Sequence, residues 1–258
     1  MANDEVTEQE IEAAMKLSAR RDFSASLDMY YEMLPRAQDQ VTKMRVLFGI
    51  VTCSTWLNLD DIRNDAIDEL NRFPDQEISN GFAVMVQAEA LIEFGRAREA
   101  LDLIDLNLSS ELLRREDFQD WKYEHLADKG RALAYLQRWQ DSLESLEAAY
   151  RMFPDGKRTS SILIDKSLCM MMFNRDDEAF HLARQVQERE HGELKTLAMQ
   201  YMAECDLALG RPSDALKLYS EIETRLPCRL VQEERIKTGI KNAMAFLEKP
   251  SSKRNVVQ

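Results

Sequence analysis

The chain has 258 residues, a formal net charge of −12 and a sequence pI of about 4.9. Such acidity disfavours nucleic acid and anionic lipid as partners, because both are bound mainly through Lys and Arg. Glycine (8) and proline (6) are too few for many tight β-hairpins, whereas the frequent Met, Leu, Ala, Glu and Arg favour helices.

The first ten residues are polar and acidic, without the pattern of a signal peptide. The longest apolar stretch, Val46 to Leu57, is too short and too interrupted to span a bilayer. The four cysteines have no metal-site spacing and are best interpreted as reduced core residues. We therefore expect a cytoplasmic protein that holds no metal and no cofactor.

Two small residues, twelve positions apart, recur six times along the chain. The pairs are Ala14/Ser26, Ser54/Ala66, Ala88/Ala100, Gly130/Ser142, Ser167/Ala179 and Ala203/Ala215. An apolar residue follows each second small residue, and another lies three positions further on. Apolar residues also stand four positions before and three positions after each first small residue, with two exceptions, Glu10 in the first pair and Asp206 in the sixth. Antiparallel helices approach closely where side chains are small, and spacings of three and four keep apolar residues on one helix face. The repeat predicts six antiparallel helix pairs over residues 8–227.

Other segments complete the predicted order of elements. Turn-forming residues separate the two helices of each pair, and prolines end four of the second helices: Pro35, Pro74, Pro154 and Pro227. Residues 107–118 add a longer helix or a loop between the third and fourth pairs. Residues 228–248 predict an amphipathic helix that caps the last pair, while residues 1–7 and 249–258 are expected to be disordered.

This pattern resembles the tetratricopeptide repeat. The sixth pair, with Ala203, Gly210, Ala215, Tyr219 and Pro227, carries the resemblance best, and the fourth pair is nearly as good. The resemblance implies an all-α, right-handed α-solenoid of helix pairs whose first helices line a concave groove. It implies no particular function, because the fold serves many unrelated ones.

The same register predicts which first-helix residues line the groove. They are Phe48, Val51, Phe82, Met85, Glu89, Ile92, Arg131, Tyr135, Ile164, Leu168, Met171, Met172, Leu197, Glu204 and Leu207. We expect an apolar groove with adaptable Met side chains, fringed by Glu89, Glu93 and Glu204. Curvature of the solenoid could instead bury some of these residues between repeats. The Lys, Asn and Arg clamp of repeats that bind carboxyl termini of heat-shock chaperones is missing, which excludes that role.

We interpret the chain as a non-enzymatic protein–protein interaction module, an adaptor or chaperone-like protein. Its groove would bind a peptide or an amphipathic helix with some basic residues. The alternative is a structural subunit that self-associates, or is fixed in a larger assembly, through the same apolar surfaces. An enzyme would need Cys169 and His181, on opposite helices of the fifth pair, to form a nucleophilic pair, but no third residue is placed to orient them.

Overall fold

The computed structural model describes residues 5–73, 76–225 and 233–248, and these contain thirteen α-helices and no strand. The helices are α1 (Glu8–Ala19), α2 (Phe23–Met33), α3 (Gln40–Trp56), α4 (Asp60–Leu70), α5 (Gln76–Glu93), α6 (Ala97–Leu108), α7 (Gln119–Tyr135), α8 (Trp139–Met152), α9 (Thr159–Met172), α10 (Asp176–Arg189), α11 (Gly192–Ala208), α12 (Pro212–Glu223) and α13 (Glu233–Glu248). The predicted helix ends at Pro74 and Pro227, and the disorder expected of residues 1–4 and 249–258, lie outside the described residues. Two compact modules result: an N-terminal module, residues 1–136, and a C-terminal module, residues 137–258.

A capping box begins α1. The Thr7 hydroxyl accepts a hydrogen bond from the Glu10 amide, and the Glu10 carboxylate accepts one from the Thr7 amide at 2.8 Å. Glu10 also pairs with Arg36 at 2.6 Å. These bonds, first the one from Thr7 and then the one from Arg36, lower the pKa of Glu10 to about 2. Glu10 breaks the apolar pattern of the repeat because it fixes the start of the first helix.

Each first helix ends in the same way. The second residue after it adopts a left-handed conformation, with φ between 56° and 76°, at Arg21, Asn58, Gly95, Gln137, Asn174 and Gly210. In five of these turns the next amide donates to the carbonyl five residues earlier, as Arg96 does to Leu91 at 2.8 Å. This is the Schellman type of helix end, which satisfies carbonyls that the helix leaves unpaired.

These turns correct the predicted register of the second pair. In five pairs the small residues lie seven positions before and five after the left-handed residue, but in the second pair those positions hold Val51 and Arg63. The amide of Leu59 donates to the carbonyl of Ser54 at 2.8 Å, just as the amide of Arg96 donates to the carbonyl of Leu91 in the third pair. Ser54 therefore corresponds to Leu91 and not to the small residue Ala88. The predicted pair Ser54/Ala66 is therefore wrong by three residues. A shift of three nearly preserves a helical face, which is why periodicity alone chose the wrong pair.

A tyrosine ring covers a glycine where successive pairs meet. In the N-terminal module, a Cβ at Gly49 of α3 would lie far inside contact distance of the Tyr30 ring of α2. In the C-terminal module, a Cβ at Gly239 of α13 would collide in the same way with Tyr219 of α12. Helix α13 is thus docked on α12 as α3 is docked on α2.

The outer face of α13 closes the stack. Gly239 of α13 corresponds to Gly49 of α3. The residues two positions before and after Gly239 are Lys237 and Lys241, which are exposed, whereas those around Gly49 are Leu47 and Val51, which are buried. A further helix could not pack against two lysines without burying their charge. The charged face supports the predicted role of α13 as a cap.

The extra residues between α6 and α7 form a packed loop rather than a longer helix. They make two short 3-10 turns, Leu112–Arg114 and Glu116–Phe118. Leu112, Leu113 and Phe118 are buried against Ile78, Leu108 and Trp121.

Asp206 is the second exception to the apolar pattern, and a salt bridge explains it. The side chain is buried, and its carboxylate lies 2.8 Å from the Arg211 guanidinium. Burial raises the pKa of Asp206, and Arg211 opposes that shift. The guanidinium also lies 5.0 Å from the centre of the Phe180 ring, so the ion pair joins the turn after α11 to α10.

The collision with Tyr219 makes Gly239 a sensitive position. We expect Gly239→Ala to lower the free energy of unfolding by about 1–3 kcal/mol, because overpacking costs more than the gain in helix propensity. Urea unfolding followed by circular dichroism measures it, with the exposed neighbour Thr238→Ala as control. Adding Tyr219→Leu should make Gly239→Ala less costly; an equal cost with and without the ring would contradict the packing.

A half-buried ion pair between α8 and α9 predicts a dependence of stability on pH. Buried Lys166 lies 2.8 Å from Glu147 and 4.8 Å from the centre of the Tyr150 ring. Lys166 lowers the pKa of Glu147 below its ordinary value of 4.5. The pair therefore stabilises the fold fully above pH 4.5, and this contribution is lost as the pH falls through the lowered pKa.

We expect Glu147→Gln to cost about 1 kcal/mol at neutral pH, because Lys166 keeps a buried charge without its partner. The difference from the parent should shrink below pH 4.5, as measured by urea unfolding at several pH values. Glu144→Gln, on the exposed side of the same helix, is the control. A constant difference down to pH 3 would refute the coupling.

Candidate partner-binding surface

Three of the predicted groove residues belong to the core instead. Val51, Ile92 and Ile164 are 0%, 1% and 3% exposed. Val51 lies seven positions before the left-handed turn residue, where the other pairs have their first small residue. Ile92 and Ile164 are members of core clusters. Their helix positions face the neighbouring helices, and the three-residue error in register explains the placement of Val51.

The remaining predicted residues are accessible. Phe48, Phe82, Met85, Arg131, Leu168, Met171, Leu197, Glu204 and Leu207 are half-buried, and Glu89, Tyr135 and Met172 are exposed. They lie on the first helices α3, α5 and α7 of the N-terminal module and α9 and α11 of the C-terminal module. We call these two surfaces the first-helix faces of their modules.

A row of aromatic rings crosses the first-helix face of the N-terminal module. Phe48 of α3 stacks on Phe82 of α5, with ring centroids 4.1 Å apart, and Phe82 lies 6.2 Å from Trp121 of α7. Trp121 was not among the predicted surface residues, because the repeat register applies only further along α7. Its position in the sequence, just after the extra residues 107–118, is the feature that could have pointed to it.

The expected acidic fringe is largely neutralised. Glu93 lies 3.6 Å from Arg21 and 3.4 Å from Arg131, and in the C-terminal module Glu204 lies 2.7 Å from Arg235 of α13. These arginines come from other helices or turns, so the repeat pattern could not reveal the pairing.

Arg131 places incompletely satisfied donors on this face. Its Nε and Nη2 are buried and have no hydrogen-bond acceptor within the described part of the chain. The Asp128 carboxylate, at 3.8 Å, is too distant for a hydrogen bond. A buried donor without an acceptor costs about 1–3 kcal/mol.

The first-helix face of the C-terminal module is a methionine-containing apolar patch. Leu168, Met171 and Leu197 are half-buried against the core that includes Ile164. Met172 is 49% exposed. The flexible, polarisable Met side chains allow this patch to adapt to different apolar ligands.

The structure does not bring Cys169 and His181 into a nucleophilic arrangement. Cys169 is fully buried with its thiol 3.3 Å from the Ser142 hydroxyl, and burial raises its pKa. A raised pKa disfavours the reactive thiolate, and His181 is exposed to solvent.

Within the described ranges, no group of three or more His, Cys, Asp or Glu could hold a metal ion. No described helix is both long and apolar enough to cross a bilayer.

No protein-family model and no curated protein matches this chain in sequence. Solved structures do match in fold. PilF from Pseudomonas aeruginosa is 8% identical, with a TM-score of 0.63 over 92% of this chain and 96% of its own. PilW, a type IV pilus biogenesis factor, is 12% identical, with a TM-score of 0.60 over 90% of this chain and 99% of its own.

A third structure adds a different context for the fold. PH0952, a signal-transduction ATPase from Pyrococcus horikoshii with a tetratricopeptide repeat sensor, is 14% identical, with a TM-score of 0.63 over 92% of this chain and 38% of its own. At these identities the similarity concerns the fold. This chain is an all-α helical repeat protein with a tetratricopeptide-like fold.

Proposed function

We propose that the protein is a non-enzymatic interaction module, an adaptor or chaperone-like protein, that binds a partner's apolar peptide or amphipathic helix on its first-helix faces. The observation that carries this proposal is the apolar patch of α9 and α11, where Met172 is 49% exposed beside half-buried Leu168 and Met171. An amphipathic helix buries its apolar stripe in such a surface.

The N-terminal module supports a complementary contact. The stacked rings of Phe48 and Phe82 offer apolar area to a partner. Because Glu93 and Glu204 are paired internally, basic residues of the partner have less to bind here than the sequence predicted. The apolar stripe of the partner is therefore the main determinant.

Self-association is the second candidate, because the same apolar surfaces could meet a second copy of the chain. The two candidates differ in what occupies the patch: another protein or the chain itself. Sedimentation velocity over a range of concentrations distinguishes them. A size that grows with concentration in the parent, and not in a variant with a charge in the patch, favours self-association.

A charge at Met172 should abolish partner binding without unfolding the protein. We expect tagged parent to retain a partner from native lysate and Met172→Glu to lose it, because a carboxylate in an apolar interface must be desolvated. The matched control is Met244→Glu, since Met244 of α13 is 51% exposed and lies outside the patch. If all three proteins retain the same partner, the patch is not the binding site.

Methionine oxidation provides a second check of the same surface. With dilute hydrogen peroxide, exposed Met172 and Met244 should oxidise first, and buried Met33 and Met199 last. Mass spectrometry of the peptides measures the rates. A bound partner should slow the oxidation of Met172 and leave Met244 unchanged; equal protection at both sites would contradict the assignment.

A further inference from the structure

The whole net charge of the protein belongs to the N-terminal module. Residues 1–136 hold 27 acidic and 15 basic residues, whereas residues 137–258 hold 19 of each. Six exposed carboxylates on the second helices α2, α4 and α6 have no ion-pair partner in the described part of the chain: Asp28, Glu32, Asp61, Asp65, Asp68 and Asp102. The second helices of this module therefore carry uncompensated negative charge.

A cleft with an apolar floor lies beside one of these carboxylates, Asp102. The cleft between α4 and α6 has a volume of about 460 Å³, within the range of known ligand sites, and Leu91, Leu103, Leu106 and Phe94 line it. Leu106 is 70% exposed and Phe94 47% exposed. We call this site the α4–α6 cleft.

The cleft lies where the second pair has large residues, Val51 and Arg63, at the positions that hold small residues in the other pairs. Arg63 stands where the other pairs have a small residue, and its long side chain lines the cleft and pairs with Asp60 at 2.8 Å. Helix α4 packs closely on α3 but lightly on α5, and it leaves the apolar side of α6 uncovered. The cleft is thus a consequence of the packing of α4.

The polar groups of the cleft have an acidic balance. Arg96 forms two hydrogen bonds with Glu99, at 2.6 and 2.8 Å, and Arg63 is paired with Asp60, so both cations are neutralised. Asp102 remains at the rim without an ion-pair partner among the described residues.

We propose that the α4–α6 cleft binds a basic amphipathic helix of a partner protein. The apolar stripe of that helix covers Leu103 and Leu106, and a Lys or Arg residue of it pairs with Asp102. Charge complementarity selects this occupant: the net charge of −12 repels nucleic acid, anionic lipid and other acidic helices. The cleft is lined by residues of α3 and α5 as well as of α4 and α6, but by none of the predicted residues that form the first-helix face.

Binding of a labelled synthetic helix tests the proposal. The probe has Leu on one face and Lys on the other, and the matched probe has Glu in place of Lys; fluorescence anisotropy measures the dissociation constants. We expect the Leu/Lys probe to bind the full-length protein more tightly than the Leu/Glu probe, and more weakly as salt rises. The proposal is overturned if the Leu/Lys probe shows no preference or does not bind.

Variants locate the site. Leu106→Gln should weaken binding of the Leu/Lys probe about tenfold, since a leucine loses its burial in the complex. Val41→Gln should have no effect, because Val41 is similarly exposed, at 67%, in the same module but outside the cleft. Asp102→Asn should weaken binding more than Asp28→Asn, which removes the same charge from α2. If Leu106→Gln and Val41→Gln had equal effects, or if Asp102→Asn and Asp28→Asn did, the attraction would be non-specific and the probe would not bind in the α4–α6 cleft.

The Met172→Glu variant separates this proposal from the preceding one. Because Met172 lies in the C-terminal module, the Leu/Lys probe should bind this variant as it binds the parent. Probe binding lost in Met172→Glu and kept in Leu106→Gln would place the probe on the first-helix face instead. Sedimentation of the parent without probe shows whether a second copy of the chain occupies the cleft, which would also contradict the proposal.

Discussion

Close helix contact at small residues is the constraint on which the rest of the structure depends. In four pairs whose two helices lie in the same module, small residues stand seven positions before and five after the left-handed turn residue, and the two helices are in contact. The Ser26 hydroxyl donates to the Ala14 carbonyl at 2.8 Å, and Ser167 makes the same bond to Ala179 at 2.9 Å. Such bonds require the two backbones to lie close, which only small side chains permit.

Departures from the repeat pattern correspond to distinct local features. Glu10 fixes the start of α1, and Asp206 forms a buried ion pair with Arg211. Arg63 stands at a small-residue position, and a cleft lies beside it. A repeat fold can tolerate each departure because each pair contacts mainly its neighbours, so a local change in packing does not spread along the chain.

The sequence predicted the helices, their pairing and the cap well, because small residues and helical spacings are local signals. It placed Val51 on the surface because a shift of three residues preserves the helical face. It also predicted an acidic fringe that Arg21, Arg131 and Arg235 largely neutralise, since contacts between distant helices leave no trace in periodicity. Side-chain exposure on the first helices and the cleft beside α4 likewise depend on how neighbouring helices pack.

The central claim is that a partner covers the first-helix face of the C-terminal module. A photo-crosslinking amino acid at position 172, compared with the same amino acid at position 244, tests it most directly, since both natural residues are similarly exposed methionines. We expect a covalent adduct with another protein from position 172 and none from position 244. Equal adducts from both positions, or none from position 172, would contradict it.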